Sequence, residues 1–198
     1  MQSESIEEQL FSFRNCVCEA SLACTFPNLL VPAMLTQGRC EPQLFPASVA
    51  RLKQTGCTVS IFAAGRTMVM GSSSEFNSRL ALIILCNHIN TILPWLHCRV
   101  TRFHVVNRVA SVKLGVDLDI ERLASDWKWS GLWERQSFPG FKLSQADLNC
   151  TFVIFPSLGK TNVAGIRSSS YMPAIARRMG MLAAYTIRTP SDDEEDVE

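Results

Sequence analysis

Three histidines, two tyrosines and no Cys-x-x-Cys pair are all that this sequence offers to a catalytic or metal-binding reading, and they exclude most of it. Eight cysteines are present. Without paired spacing or a repeated Cys/His module they build no structural zinc site, and the close pairs Cys16-x-Cys18 and Cys86-x-His88 fit small buried thiols in strands and helices. No metal and no cofactor is expected. The histidines fall between residues 88 and 104, away from any candidate nucleophile. With no Ser/His/Asp constellation and no phosphate-cradling glycine loop, the chain is not read as an enzyme. The first residues, MQSESIEEQLF, lack the basic and apolar pattern of a secretory leader, which leaves a cytoplasmic or nuclear site as the expectation. One long uncharged run, LALIILCNHINTILPWLHC between Arg79 and Arg99, is interrupted by Asn87, His88, Asn90, Pro94 and His97. It reads as a buried amphipathic helix rather than a membrane span.

What is there is enough to fold. The 198 residues are 47% hydrophobic and 19% charged, so the chain can bury one sizeable core or two small ones. Charge is distributed unevenly behind a net value of +1. Ser191 to Glu198 hold six acids and the first eight residues three, leaving nine acids against all nineteen Lys and Arg in residues 9 to 190. A basic body suits a polyanionic partner. The acidic tail either moderates access to that partner or acts as a solubilising terminus.

Self-comparison gives the strongest signal. FRNCVCEASL at 13 to 22 aligns with VVNRVASVKL at 105 to 114, setting Asn15 beside Asn107 and Val17 beside Val109 at an offset of 92. Phe45-Pro46 matches Phe138-Pro139, and GCTVSIF ending at Phe62 matches NCTFVIF ending at Phe155, both at 93. Gly65 with Gly159 and Gly71 with Gly165 follow at 94, as if Leu158 were inserted in the second hairpin turn. The chain is therefore read as a duplication.

Each copy predicts a strand, a short helix, further strands and a long helix. Alternation in the first strand puts Phe13, Asn15, Val17, Glu19 and Ser21 on one side, and Arg14, Cys16, Cys18, Ala20 and Leu22 on the other. Ala64-Gly65 is a hairpin signal. Serines 72 to 74 can cap a helix running from about Glu75 to Pro94. Serines 168 to 170 can cap one that carries Pro173 in its first turn and ends near Thr186. Shorter helices are predicted near 27 to 36 and 118 to 125. Two such halves give an α+β architecture, an antiparallel sheet with helices on a single face, whose other face is left for function. Phe62 is expected opposite Val59 and Ile61, and Phe155 opposite Val153, on the face away from the helices. Asparagine is disfavoured in strands. Its repeated mid-strand position therefore marks Asn15 and Asn107 for that same open face.

These residues resemble the core repeat of the TATA-binding protein family: Asn-x-Val in the first strand, Phe-Pro opening another, Ile-Phe before a Gly-Lys/Arg turn, and Gly ahead of the long helix. The resemblance spans about residues 10 to 187. It implies a pseudo-symmetric saddle of two repeats, a curved antiparallel sheet with helices on the convex face. Its parts would be an acidic flexible start at 1–9, repeats at 10–97 and 98–188, and a disordered acidic tail at 189–198. It further implies a nuclear general transcription initiation factor that binds double-stranded, A·T-rich promoter DNA in the minor groove. Such a factor bends the DNA and assembles with TFIIA-like and TFIIB-like basal factors and other preinitiation-complex subunits, with no membrane role. Residue by residue, Phe45 with Phe62 and Phe138 with Phe155 resemble the intercalating pairs. Asn15 and Asn107, flanked by Val17 and Val109, resemble the central groove-reading residues, and Met68, on the hairpin that follows Ala64-Gly65, is counted with them as a DNA-binding residue. Arg51, Arg66 and Lys160 resemble phosphate contacts. Glu134 resembles one of two acids that engage a TFIIB-like partner, the second being replaced by Gln136.

Several positions depart from the family pattern. Met70 and Ala164 stand where threonine is usual, Asn162 where an apolar groove contact is usual, and Ser144, Asp147 and Asn149 where basic residues are common. A looser A·T preference follows. The long helix at 75 to 93 offers only Arg79 as a basic residue and is apolar almost all round, so its surface is either more buried or meets a different partner. Trp127, Trp129 and Trp133 either pack an irregular loop or anchor an interface. Two rival readings stay open: a related scaffold with weak or no DNA binding that recruits basal factors through protein contacts, and an enzyme-associated domain of similar helix-on-sheet fold.

Overall fold

A computed structural model describes residues 11–129, 131–134 and 136–187; the acidic start and tail read from the sequence lie outside these residues. The described chain forms two compact units, residues 13–109 and residues 110–187 with 11–12.

In the first unit, β1 (Ser12–Ser21) is followed by α1 (Leu30–Thr36), β2 (Arg39–Cys40), β3 (Ser48–Leu52), β4 (Cys57–Ile61), β5 (Arg66–Ser72), α2 (Glu75–Ile92) and the start of β6 (Thr101–Val112). The antiparallel order is β2-β3-β4-β5-β1, with Val59 opposite Ala50 and Val69. Alternation dictates the layering. Cys16, Cys18, Ala20, Cys57, Val59, Ile61 and Val69 are buried together with Ala81, Leu82, Leu85, Cys86 and Ile89 of α2. Ser74 starts that helix by accepting from the Asn77 amide, as its position predicts. α2 is covered on one side only, since Phe76 is 74% exposed and Ile83 and Ile92 are also exposed; the expectation of a more buried surface does not hold.

The second unit runs through α3 (Ile120–Ser125), β7 (Gly131–Leu132), β8 (Phe141–Gln145), β9 (Cys150–Ile154), β10 (Thr161–Ile166) and α4 (Met172–Leu182), with strand order β7-β8-β9-β10. Phe141, Leu143, Phe152, Ile154 and Val163 are buried, as are Ile175, Met179 and Leu182 of α4. Leu158 sits at φ 55° in the turn between β9 and β10, where the sequence places an insertion. One expectation is corrected. Val153 does not oppose Phe155: both are half-buried on the open side, and the buried side of β9 is Phe152 and Ile154. Residues two apart in a strand share a face. The tryptophans divide: Trp129 is buried and donates from Nε1 to the Tyr185 hydroxyl at 2.9 Å, whereas Trp127 is 87% exposed. Tyr185 in turn donates to Asp126, which holds the Asp126 carboxyl below its usual range.

Candidate nucleic-acid interface

On each unit, the sheet face turned away from the buried layer carries the residues singled out by the repeat. In the first unit these are Asn15 and Val17 of β1, Arg51 of β3, Phe62 just beyond β4, and Arg66, Met68 and Met70 of β5. They alternate with the buried Cys16, Cys18, Ala50, Ile61, Thr67 and Val69, so the face is set by the same period-two pattern that builds the core. Asn107 and Val109 are half-buried positions of β6.

The asparagine is held by a backbone irregularity. Between Cys16 and Cys18 one residue of β1 faces two of β5, because Cys16 pairs with Ser72 and Cys18 with Val69. The extra residue turns the chain at Gly71, at φ 80°, a bulge geometry that glycine adopts without Cβ strain. The freed Gly71 N–H donates to Asn15 Oδ1 at 3.0 Å. Because the partner is a donor, the atom facing it must be the amide oxygen, which leaves the Asn15 NH₂ group to meet acceptors. Beneath it, Cys16 lies 3.6 Å from Cys18. The hydrogen bond between the two thiols and, after it, the nearby Arg108 guanidinium favour the Cys16 thiolate and pull its pKa down to about 7. Arg108 also pairs with Glu75 at 2.8 Å, fastening β6 to the first turn of α2.

The four repeated phenylalanines form two near-identical pairs. Phe45 and Phe62 meet edge-to-face, with ring centres 6.0 Å apart and planes at 65°; Phe138 and Phe155 do so at 5.9 Å and 62°. A cation rides on each pair: the Arg66 guanidinium 5.1 Å from the Phe62 ring, and Lys142 Nζ 4.7 Å from the Phe138 ring. Phe45 is 44% exposed and the other three are half-buried, so the rings shelter one another and are less free than isolated wedges would be. Gly140 makes room for the second pair. A Cβ there would sit 2.7 Å from a Phe138 ring carbon and 3.0 Å from a Val153 methyl.

The basic positions are less uniform than the sequence reading had them. Arg51 and Lys160 are exposed. Arg66 also bonds Glu19 of the neighbouring strand at 3.4 Å, so part of its charge is already answered. Lys142 went unremarked in the sequence because its counterpart at an offset of 93, Val49, is apolar. Glu19 was legible only as an open-face strand residue, and Gly140 only as the neighbour of Phe138. Asp147, at a position where the family commonly has a base, bonds Arg178 of α4 at 3.0 Å, which offsets its negative charge. Glu134 is exposed in the loop before Phe138, where its carboxylate accepts from Ser137 Oγ at 2.9 Å and its carbonyl accepts from the Phe138 amide.

Among the described residues no group of three or more His, Cys, Asp or Glu could hold a metal ion, and no helix is long and apolar enough to cross a membrane. The open face thus offers amide donors, apolar contacts, paired aromatic rings and cations.

Comparison with known proteins agrees with this inventory. The family model described as transcription factor TFIID, or TATA-binding protein, matches residues 10–92 and 102–182. TATA-box-binding protein 2 of Methanosarcina acetivorans is 30% identical over 123 residues, 61% of this chain and 65% of the relative. TATA box-binding protein-like 2 of Rattus norvegicus is 27% identical over 158 residues, 79% of this chain but 45% of the relative. The matched part of the chain therefore spans about half to two thirds of the length of these two proteins. The solved Methanococcus jannaschii TBP superposes with a TM-score of 0.76 at 21% identity, covering 88% of this chain and 98% of that one, a likeness of fold.

Proposed function

The chain belongs to the TATA-binding protein family, and from that premise we propose that it is a nuclear, non-catalytic transcription initiation factor that binds and bends promoter DNA through the minor groove. The observation that carries the reading is the duplicated aromatic pair: two edge-to-face Phe pairs of matching geometry, each capped by a cation, on faces that also hold Asn15 and Val17. A core has no need to repeat such pairs on its solvent side. A groove binder does, because apolar wedges unstack a base step while neighbouring cations hold the phosphates.

Each group has a role in that act. Phe45 with Phe62, and Phe138 with Phe155, enter base steps and kink the duplex. The Asn15 amide, its oxygen bound by Gly71, donates to the adenine N3 or thymine O2 acceptors of the minor groove, and Asn107 is its repeat equivalent. Val17, Val109 and Met68 press on the groove floor and disfavour the guanine amino group. Arg51, Arg66, Lys142 and Lys160 engage phosphates. Glu134 on the loop before Phe138 offers a carboxylate to a TFIIB-like factor, and α2 presents an apolar surface to a TFIIA-like or other basal subunit. Assembly of a preinitiation complex on the bent DNA is the outcome.

A second reading has its own support. The Glu19 bond to Arg66, and Ser144, Asp147 and Asn149 at positions where the family is commonly basic, leave less cationic charge for phosphates. Under that reading the chain is a scaffold with weak DNA binding that recruits basal factors through protein contacts. Electrophoretic mobility and fluorescence-transfer bending on an A·T-rich duplex at low salt, with and without TFIIA-like and TFIIB-like proteins, separate the two. Bending by the chain alone supports the groove binder; partner capture with no shift of the duplex supports the scaffold.

A further inference from the structure

We propose that Asn162 gives the second repeat a tolerance for G·C pairs that the first repeat lacks, so that the two halves of the DNA site are read by different rules. This rests on the minor-groove reading above.

Asn162 lies in β10, paired with Val153 of β9, on the face that also carries Ala164, Thr151 and Phe155. It is half-buried, and its side chain makes no hydrogen bond within the described residues. Its repeat counterpart at an offset of 94 is Met68, paired with Ser60 of β4. One half thus sets a thioether where the other sets a primary amide.

The contrast with Asn15 decides what that amide can do. Asn15 has its oxygen engaged by the Gly71 N–H, so it presents donors alone. Asn162 is not fixed in this way. Rotation about its last bond presents either the NH₂ group or the oxygen at similar cost. The A·T minor groove shows acceptors only, and G·C adds the guanine N2 amino donor. Facing A·T, Asn162 turns its NH₂ inward; facing G·C, it turns its oxygen to the guanine amino group. Met68 cannot respond. A guanine amino group pressed against it is desolvated with no acceptor, and that is the penalty that excludes G·C. Ala164, beside Asn162, has a smaller side chain than its equivalent Met70, so the second repeat has more space to offer the added amino group. A site recognised by two unlike rules has a direction, which a pseudo-symmetric reader otherwise lacks.

The test uses the full chain and a set of duplexes in which each pair of an A·T tract is replaced in turn by G·C or by inosine·C, which lacks the amino group. The wild-type protein is expected to bind G·C, inosine·C and A·T within about threefold at positions in one half. In the other half G·C should lose about tenfold or more while inosine·C does not, the scale of one mismatched pair. Asn162→Val, a strand-compatible change, should impose the G·C penalty on the tolerant half, read as a fall of about tenfold in the ratio of G·C to A·T affinity at those positions while the same ratio in the other half stays as in the wild type. Met68→Asn should relax the other half. A penalty profile that is the same in both halves, or one that neither substitution moves, overturns the inference while leaving groove binding intact. Loss of all duplex binding by the wild-type chain overturns the groove reading and this inference with it.

Discussion

Truncating one ring of an aromatic pair separates a wedge from a core residue, and the two kinds lie three positions apart, at Phe152 in β9 and at Phe155 just beyond its end. Phe152 is 1% exposed; Phe155 is half-buried on the opposite face against Phe138. Phe152→Ala opens a cavity in a packed layer and should cost about 3–5 kcal/mol of unfolding free energy. Phe155→Ala loses an edge-to-face partner worth about 0.5–1.5 kcal/mol and part of its apolar burial, so a cost of about 1–2 kcal/mol is expected. That exceeds what a freely exposed wedge would show, because the rings shelter one another. The effect on DNA runs the other way. A wedge that enters a base step desolvates aromatic surface worth about 1.5–3 kcal/mol, and its loss should weaken bending by about tenfold to a hundredfold. Phe62→Ala should behave alike, and the double change Phe138→Ala with Phe155→Ala should cost less than the sum of its parts by the pair energy. Denaturant melts beside fluorescence-transfer bending decide it. If Phe155→Ala destabilises as much as Phe152→Ala, and the folded fraction still bends DNA normally, the rings are core and the reasoning fails.

Gly140→Ala should disturb the second pair without unfolding the unit: its Cβ would press on Phe138 and Val153, and bending should fall by about tenfold while the melting transition stays cooperative, as a fluorescence-transfer titration with a parallel melt would read. Glu19→Gln frees Arg66 for phosphate, so affinity should rise at low salt and the slope of log K against log salt should steepen by up to about 0.9 per added contact, with stability within about 1 kcal/mol because Arg66 is exposed and Glu19 partly so. Removing Ser191 to Glu198 should raise non-specific affinity for random duplex, and an unchanged binding isotherm would make the tail a solubiliser. Cys16 ionises near 7 when folded against about 8.5 unfolded, so it adds stability that is fully present above the unfolded value and is lost as pH falls through 7. Urea midpoints should therefore rise from pH 7 to 8.5 in the wild type, lose that rise in Cys16→Ala, and keep only part of it in Arg108→Met, where the thiol–thiol hydrogen bond remains.

The duplication was legible because identical residues recur at near-constant offsets, and the layering of β1 and β4 because polar and apolar side chains alternate there. β9 carried no such signal. Thr151 to Phe155 is apolar at four of its five positions, so its pattern alone does not say which side is core, and the structure puts Phe152 and Ile154 there rather than Val153. Alignment of Phe152 with Val59 was the cue available. The phenylalanine pairs follow from the repeat, but the cation on the second pair does not, because Lys142 has an apolar counterpart; nor does the bond between Arg178 and Asp147, whose partners lie 31 residues apart in sequence. Nor does composition announce the bulge at Gly71, since a glycine before a helix reads equally well as a simple turn. Asn15 was marked as out of place in a strand; what fixes its amide came only from the strand register.

That register has a consequence for how the two surfaces communicate. Gly71 holds the Asn15 amide on the open side; one residue on, Ser72 is buried and its hydroxyl bonds the Ser74 carbonyl at 2.6 Å, and Ser74 caps α2 on the other side. Four consecutive residues thus belong to both faces of the sheet. On the proposed groove-binding reading, a protein whose binding moves the first turn of α2 also moves the donor offered to the bases, and any coupling so set up acts in both directions with one free energy. Substitution at Gly71, where the two faces meet, is the place to measure that coupling.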